Sequence, residues 1–518
     1  MDTQPSNLNI TRVRIFTALV SLLLSLQAVY FDDIINSDGV LYLQMTEAYL
    51  AGGLQAVKGL FDWPTFSILI AWIHQLTSLS IETSALILNS LFFILLTDAL
   101  VLISSLLVST PRQLSIAAVL ILCFTPINEY RDFILRDPGY WAFCSLALYQ
   151  FMLFLNSPNY KAATLWQVFM ISAILFRIEG TVILLGLPLF LLWARRPSEG
   201  FKQIAQVSYL LAIAFLAIVT FVLSRPDLMA AFGKLGSISK YLDLSAYINT
   251  LSQYADIIRH QILNQYSEDY AAFILIAGML AMFFYKILKA FSVSYIIVYI
   301  ATASKTLQPH AKQLQQLLLY FLALNILLLI TFLFKQYFIS SRYTLMALIG
   351  LLLLVMHSLS HGIERLWLGK NKLLLSIIAL ALFYSVADTS TQSKRKTYIK
   401  DAALWAAHNL PEDSLVMTDN GFILYYFDAE KTSSTICVKH IYKTSDFLRR
   451  HTHTMSYTSG PCADLHSDNY RYFDYIIVVE KQHNAGLKDF LKTLDITRVH
   501  HTGKENKDGA SVYKVMKP

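Results

Sequence analysis

The chain has 518 residues, 55% hydrophobic and 15% charged, with a formal net charge of +7. An ordinary soluble domain carries about 25% charged residues, so a wholly soluble protein is excluded. The cations fall mostly between apolar runs, as in Arg12/Arg14, Arg195/Arg196/Lys202, Lys286/Lys289 and Arg365/Lys370/Lys372. That is the distribution of cytoplasmic loops; it argues against a nucleic-acid partner, which needs a basic face or stripe.

In chain order, Arg12 and Arg14 precede an apolar stretch from Ile15 to Val29. No small-residue cleavage site follows, so the stretch reads as an uncleaved membrane helix over about 14–30. An acidic run comes next, Phe31-Asp32-Asp33-Ile34-Ile35-Asn36-Ser37-Asp38-Gly39-Val40-Leu41-Tyr42. Asp38 is the first candidate site residue. A carboxylate there suits a general base taking a proton from a hydroxyl or amine; a solvated loop acid is the alternative. Asp32 and Asp33 are read as a helix cap or headgroup-level charge, or as substrate contacts. Pro64 to Leu79 is too short to span and contains Trp72, His74 and Gln75, which predicts an interfacial helix.

Further spans are predicted over 83–107, 113–127, 139–155, 162–177, 180–194, 204–223, 270–303, 314–334, 342–358 and 372–388. With the first this makes about eleven, against the usual need for about 20 apolar residues each. The positive-inside rule puts the N-terminus in the cytoplasm. Loops 31–82, 128–138 and 225–269 then fall outside, provided Pro64 to Leu79 does not cross. Lys286 and Lys289 interrupt 270–303, read as one span plus an interfacial piece.

Three further clusters carry ionisable groups. Arg131, Arg136 and Asp137 share the second outer loop. Asp137 precedes Pro138, so an N-cap with proline at the first helical position is one reading, and guanidinium groups that bind phosphate oxygens are the other. Arg177 and Glu179 interrupt the apolar stretch Ile171 to Leu192. Ionisable groups at membrane depth face a cavity or a partner, and a tight turn with a local ion pair is the simpler reading. Lys335, Arg342 and Tyr343 sit at the outer end of a late span, as phosphate ligands or as snorkelling cations.

Residues 1–390 thus read as a polytopic α-helical membrane domain and residues 391–518 as a small soluble α/β domain outside the cytoplasm. In the latter, Tyr398 to Asn409 and Leu487 to Leu494 read as helices. Ser414 to Thr418, Tyr475 to Val479 and Ala510 to Val515 read as strands. Cys437 and Cys462 are able to pair if that domain lies outside. No Walker A motif, Rossmann glycine fingerprint, His-Glu-x-x-His or Cys-x-x-Cys occurs, and the histidines lack metal-ligand spacing.

The order of these motifs resembles the GT-C superfamily of integral membrane glycosyltransferases, and within it bacterial relatives of the lipid A aminoarabinose transferase and the protein O-mannosyltransferases. The resemblance rests on Asp38-Gly39-Val40-Leu41-Tyr42 with Ala48-Tyr49-Leu50-Ala51-Gly52, on Phe61-Asp62-Trp63-Pro64, on Arg136-Asp137-Pro138 and on Ser341-Arg342-Tyr343. It implies a polyprenyl-phosphate-sugar donor and an envelope glycan, lipid or protein acceptor, with transfer on the outer face of a bacterial plasma membrane. It also implies Asp38 as the base, Asp137 as a supporting carboxylate and no metal or other cofactor. Asp33, Tyr42, Arg131, Arg136, Arg177, Glu179, Lys335, Arg342 and Tyr343 become substrate contacts on that reading. Phe61-Asp62-Trp63-Pro64 lacks the double proline common in relatives, which leaves the acceptor class open. The rival is a transporter or flippase for a lipid-linked substrate; it would favour inverted repeats, and none is seen.

Overall fold

The computed structural model describes residues 7–31, 34–57, 60, 63–213, 244–290, 293–302, 312–391, 396–418, 420–430, 435–438, 470–480, 485–504 and 507–517. Asp32, Asp33, Phe61, Asp62, Cys462, most of the expected span 204–223 and the first part of the loop 225–269 lie outside these residues. The chain divides into two compact units. One comprises Met1–Ala28 and Met45–Gln392, the other Val29–Gln44 and Ser393–Pro518.

The first unit is helical. Among the described residues, six helices are long and apolar enough to cross a membrane: Asn9–Tyr30, Ile81–Leu107, Asp137–Asn156, Glu268–Lys289, Lys312–Gln336 and Ser341–Leu368. Six shorter apolar helices accompany them, including Thr65–Thr77, Pro111–Leu122, Tyr160–Phe176 and Gly180–Ala194. Among the described residues the expected count of about eleven spans is not confirmed. The expected span 113–127 shows why. Its helix ends at Leu122, Cys123 departs from helical geometry (φ −86°, ψ 1°), and Pro126 opens a separate turn at Thr125–Asn128. The stretch 270–303, read as one span plus an interfacial piece, is two helices, Ala271–Ala290 and Val293–Thr302. Thr65–Thr77, at 13 residues, reaches only about 20 Å at 1.5 Å per residue, in keeping with a helix that does not cross.

The elements that position the site are α1 (Asn7–Phe31), α2 (Ser37–Val57), α3 (Thr65–Thr77), α4 (Ile81–Leu107), α5 (Asp137–Asn156), α6 (Tyr160–Phe176), α7 (Lys312–Gln336) and α8 (Leu345–Leu368). Two polar ties hold α1. Arg14 donates to both oxygens of Asp98 on α4, Nε–Oδ1 2.7 Å and Nη2–Oδ2 2.8 Å. Arg131, 1% exposed, donates to Ser21 O (2.9 Å), Ser25 Oγ (2.8 Å) and Asn128 Oδ1 (2.8 Å), and its guanidinium lies 4.9 Å from the Phe93 ring centre. Arg131 thus binds the loop before α5 to the first helix.

The start of α5 is seated by a glycine. A Cβ on Gly139 would meet the Phe176 ring at 2.8 Å, so only a glycine lets the end of α6 lie flat on the beginning of α5. Phe176 also packs edge-on to Phe92 of α4 at 5.0 Å and stacks on Phe143 of α5 at 5.8 Å. Trp63, just before α3, donates its indole N–H to Ile174 O at 3.2 Å. These contacts bring Asp137, at the start of α5, to Arg177, which caps α6.

The second unit carries a five-stranded sheet, β1 (Leu415–Thr418), β2 (Thr435–Val438), β3 (Tyr475–Glu480), β4 (Ile496–Gly503) and β5 (Gly509–Val515), in the order β2-β1-β3-β5-β4. The β1 pairings are parallel, and those of β5 with β3 and β4 are antiparallel. One face packs through Met417, Phe473, Ile476, Val478 and Val515 against Leu487 and Leu491 of helix α9 (Ala485–Lys492). On another side lies the helix Thr397–Asn409, whose Trp405 stacks on His500 at 4.0 Å. The start of α2 belongs to this unit: the Ile35 amide donates to the Tyr426 hydroxyl at 3.2 Å.

Candidate active site

Asp137 is the first residue of α5 and is 2% exposed. It does not cap its own helix; the N-cap position is Arg136, and no side chain bonds there. The carboxylate instead accepts a hydrogen bond from Nη1 of Arg177, forty positions along the chain. Arg177 also donates from Nη2 to Glu179 Oε1 (2.6 Å) and from Nε to Oε2 (3.3 Å). One guanidinium is therefore clamped between two carboxylates. Burial opposes its charge, but Glu179 and Asp137 outweigh that effect and raise its pKa. Burial likewise works against an ionised Glu179, yet the Arg177 charge and hydrogen bonds hold its carboxyl down at about 2, with Arg136 contributing at longer range.

The aromatic side of the cluster comes from the turn before α8. Ser341–Thr344 forms a short 3₁₀ turn. Within it Tyr343 places its ring 4.6 Å from the Arg177 guanidinium carbon and 5.1 Å from that of Arg342. Arg342 Nη2 also donates to the Tyr343 hydroxyl at 3.2 Å, and Phe332 of α7 packs edge-on to Tyr343 at 4.6 Å. Together with Tyr140, Trp141, Asn325, Leu328, Leu329 and Met346, these residues surround a cavity of about 40 Å³. That holds a few waters at most. Tyr130, half-buried in the loop before α5, has its phenol pushed up by desolvation and then by Glu129, with Arg342 pulling the other way.

Of the residues expected from sequence, the structure brings together Asp137, Arg177, Glu179, Arg342 and Tyr343, with Arg136 close enough for its charge to reach Glu179. Arg131 is directed elsewhere, to α1. Lys335 lies half-buried in the last turn of α7. Asp38 and Tyr42 belong to the second unit: Asp38 is half-buried in the first turn of α2, and Tyr42, one turn on, is 5% exposed. Asp33 lies outside the described residues. Sequence reasoning passed over Tyr140 and Asn325. Asn325 is a lone amide in the apolar run of α7 and is 4% exposed; its polarity inside that run was the available signal. Among the described residues, no group of three or more His, Cys, Asp or Glu side chains is arranged to hold a metal ion.

No family model and no curated protein sequence matches the chain. Solved structures do. ArnT from Cupriavidus metallidurans in the apo state aligns at 11% identity and a TM-score of 0.48, over 96% of this chain and 97% of that one. The same protein bound to undecaprenyl phosphate aligns at 13% identity and a TM-score of 0.43, with the same coverage. The arabinofuranosyltransferase AftD from Mycobacteria aligns at 13% identity and a TM-score of 0.45, over all of this chain and 42% of that one.

Proposed function

We propose that this chain is a membrane glycosyltransferase that moves a sugar from a polyprenyl-phosphate carrier to an envelope glycan, lipid or protein acceptor, on the outer side of a bacterial plasma membrane. The observation that carries the reading is the buried Asp137–Arg177 pair, continued by the half-buried Glu179, beside Arg342 and Tyr343 at the ends of apolar helices. Burying an ion pair is costly unless its partners meet well, and groups of this kind mark functional sites more often than ordinary surface ion pairs do.

The roles divide by what each side chain touches. Arg177 spends its donors on two carboxylates, so it positions the cluster. Arg342 and Arg136 meet the carrier phosphate, whose oxygens match a guanidinium fork. The acceptor oxygen attacks the anomeric carbon while the bond from that carbon to the phosphate oxygen breaks. The acceptor proton passes to Asp38, and the carrier leaves as polyprenyl phosphate. A single displacement of this kind inverts the anomeric configuration, and the leaving phosphate is neutralised by arginine without a metal or other cofactor.

The test is mass spectrometry of envelope glycans and lipids from cells that carry the wild-type protein, the Asp38→Asn variant, or no copy of the gene. Loss of one sugar in both altered strains supports the reading and identifies the acceptor. A change in the deletion strain alone removes Asp38 from the reaction and favours transport of a lipid-linked substrate.

A further inference from the structure

A second cleft lies wholly inside the sheet unit and stands independently of the transfer reaction. It measures about 540 Å³ and opens between α9 and the strands β4 and β5. Lys488 and Lys492 come from the helix, Arg498 from β4 and Lys507 from the β4–β5 turn. Against these four cations the described lining residues supply one carboxylate, Glu480, which accepts a hydrogen bond from the Tyr513 hydroxyl at 2.8 Å. Lys492 also pairs with Asp489 at 2.9 Å, but both side chains are over 70% exposed, and such a pair is weak and screened.

The strand is shaped to aim a histidine into this cleft. Arg498 stands opposite Tyr513, and the next paired residue, His500, stands opposite Val512, so one extra residue is inserted between them. An unbroken strand alternates faces and would put His500 beside Arg498. With the bulge, His500 turns to Trp405 and His501 takes the cleft side, its Nδ1 on Ser511 Oγ at 2.8 Å. Bulges of this kind re-aim side chains next to sites. Nε2 of His501 is buried and has no hydrogen-bond partner among the described residues. Gly509 clears its seat: a Cβ there would meet the imidazole Cε1 at 2.7 Å.

We propose that this cleft binds the phosphate group of a phosphorylated sugar, with Lys488, Arg498 and Lys507 holding the phosphate and Leu491, Ile496 and Tyr513 walling the sugar ring. The volume falls in the range of small-molecule sites, and its cationic excess selects an anion.

The test uses the full chain in a phosphorus-free detergent and follows the ³¹P linewidth of added glucose 1-phosphate. Inorganic phosphate serves as the minimal probe and phosphatidic acid as the lipid-borne one. The expected result is broadening by the wild-type protein that weakens with added salt. Affinity should fall about tenfold or more in Lys488→Gln/Arg498→Gln, while the exposed-site control Arg471→Gln behaves as wild type. Binding of the soluble or the lipid-borne phosphate tells which source the cleft accepts. If the double variant loses its melting transition, Lys507→Gln, in a turn, replaces it with a severalfold loss expected. Broadening unchanged by these substitutions, or absent with every phosphate at low salt, overturns the proposal.

Discussion

The ion-pair chain is tested most severely by removing its cation. Arg177→Met keeps much of the side chain's length and apolar stem but leaves the Asp137 side chain 2% exposed and without its cation. Breaking a buried pair in this way costs about 3–5 kcal/mol. Glu179 adds little, because its side chain is 32% exposed and exposed pairs are worth about 0–1 kcal/mol. Loss of the cation over Tyr343 adds about 0.5–2 kcal/mol. The expected destabilisation is therefore about 4–8 kcal/mol, measured as unfolding free energy by steric trapping in micelles. Adding Asp137→Asn removes the stranded charge, so the double variant should be more stable than Arg177→Met by about 2 kcal/mol. Arg471→Met, at a pair about half exposed, should lose under about 1 kcal/mol. If Arg177→Met costs no more than Arg471→Met, or if the double variant is the worse of the two, the three groups do not act as a buried charge chain.

Three other outcomes are expected from the same structure. Arg14→Ala strands Asp98 within the membrane-spanning α4, where an unpaired acid costs about 3 kcal/mol; melting of the Arg14→Ala/Asp98→Ala double variant should recover most of the loss. Gly362→Ala places a methyl against the Thr302 carbonyl and side chain, and such overpacking should lower stability by about 1–3 kcal/mol; an unchanged melting temperature would contradict the helix contact. Glu179 is held near 2 in the folded protein against an ordinary 4.5, so its contribution is complete above about 4.5 and disappears as pH falls towards 2. Acid melts should therefore show Glu179→Gln losing less stability than wild type across that window.

Much of the helical architecture is legible because apolar runs must be helices in lipid, and the boundaries of Ile81–Leu107 and Asp137–Asn156 fall within two residues of those read from sequence. The failures have local causes. Proline and a non-helical Cys123 cut the run 113–127 short, although its hydropathy continues unbroken. Strand β4 escaped notice because Thr497-Arg498-Val499-His500-His501-Thr502 alternates poorly, and the bulge inside it is what disrupts the pattern. At the site, Asp137 before Pro138 reads from sequence as an N-cap, but Arg136 takes the cap position and Asp137 is the first helical residue, its carboxylate turned to Arg177 instead. Its partner forty residues away is fixed by Gly139 under Phe176, a contact no local pattern reveals. Arg131 carries the same side chain as Arg342, and only packing separates a tie to α1 from a residue of the cavity wall. Asp98 was readable as an acid in an apolar run, but its partner Arg14 lies 84 positions away.

The most direct test of the transferase account is sugar transfer by the purified chain in nanodiscs, from a radiolabelled polyprenyl-phosphate sugar to extracted envelope acceptor. The account predicts turnover by wild type, a loss of about 10²–10⁴-fold in Asp38→Asn, the usual share of a general base, with donor binding retained, and weakened donor binding in Arg342→Gln. Turnover unaffected in both variants, or carrier movement across the bilayer with no sugar transferred, would contradict it.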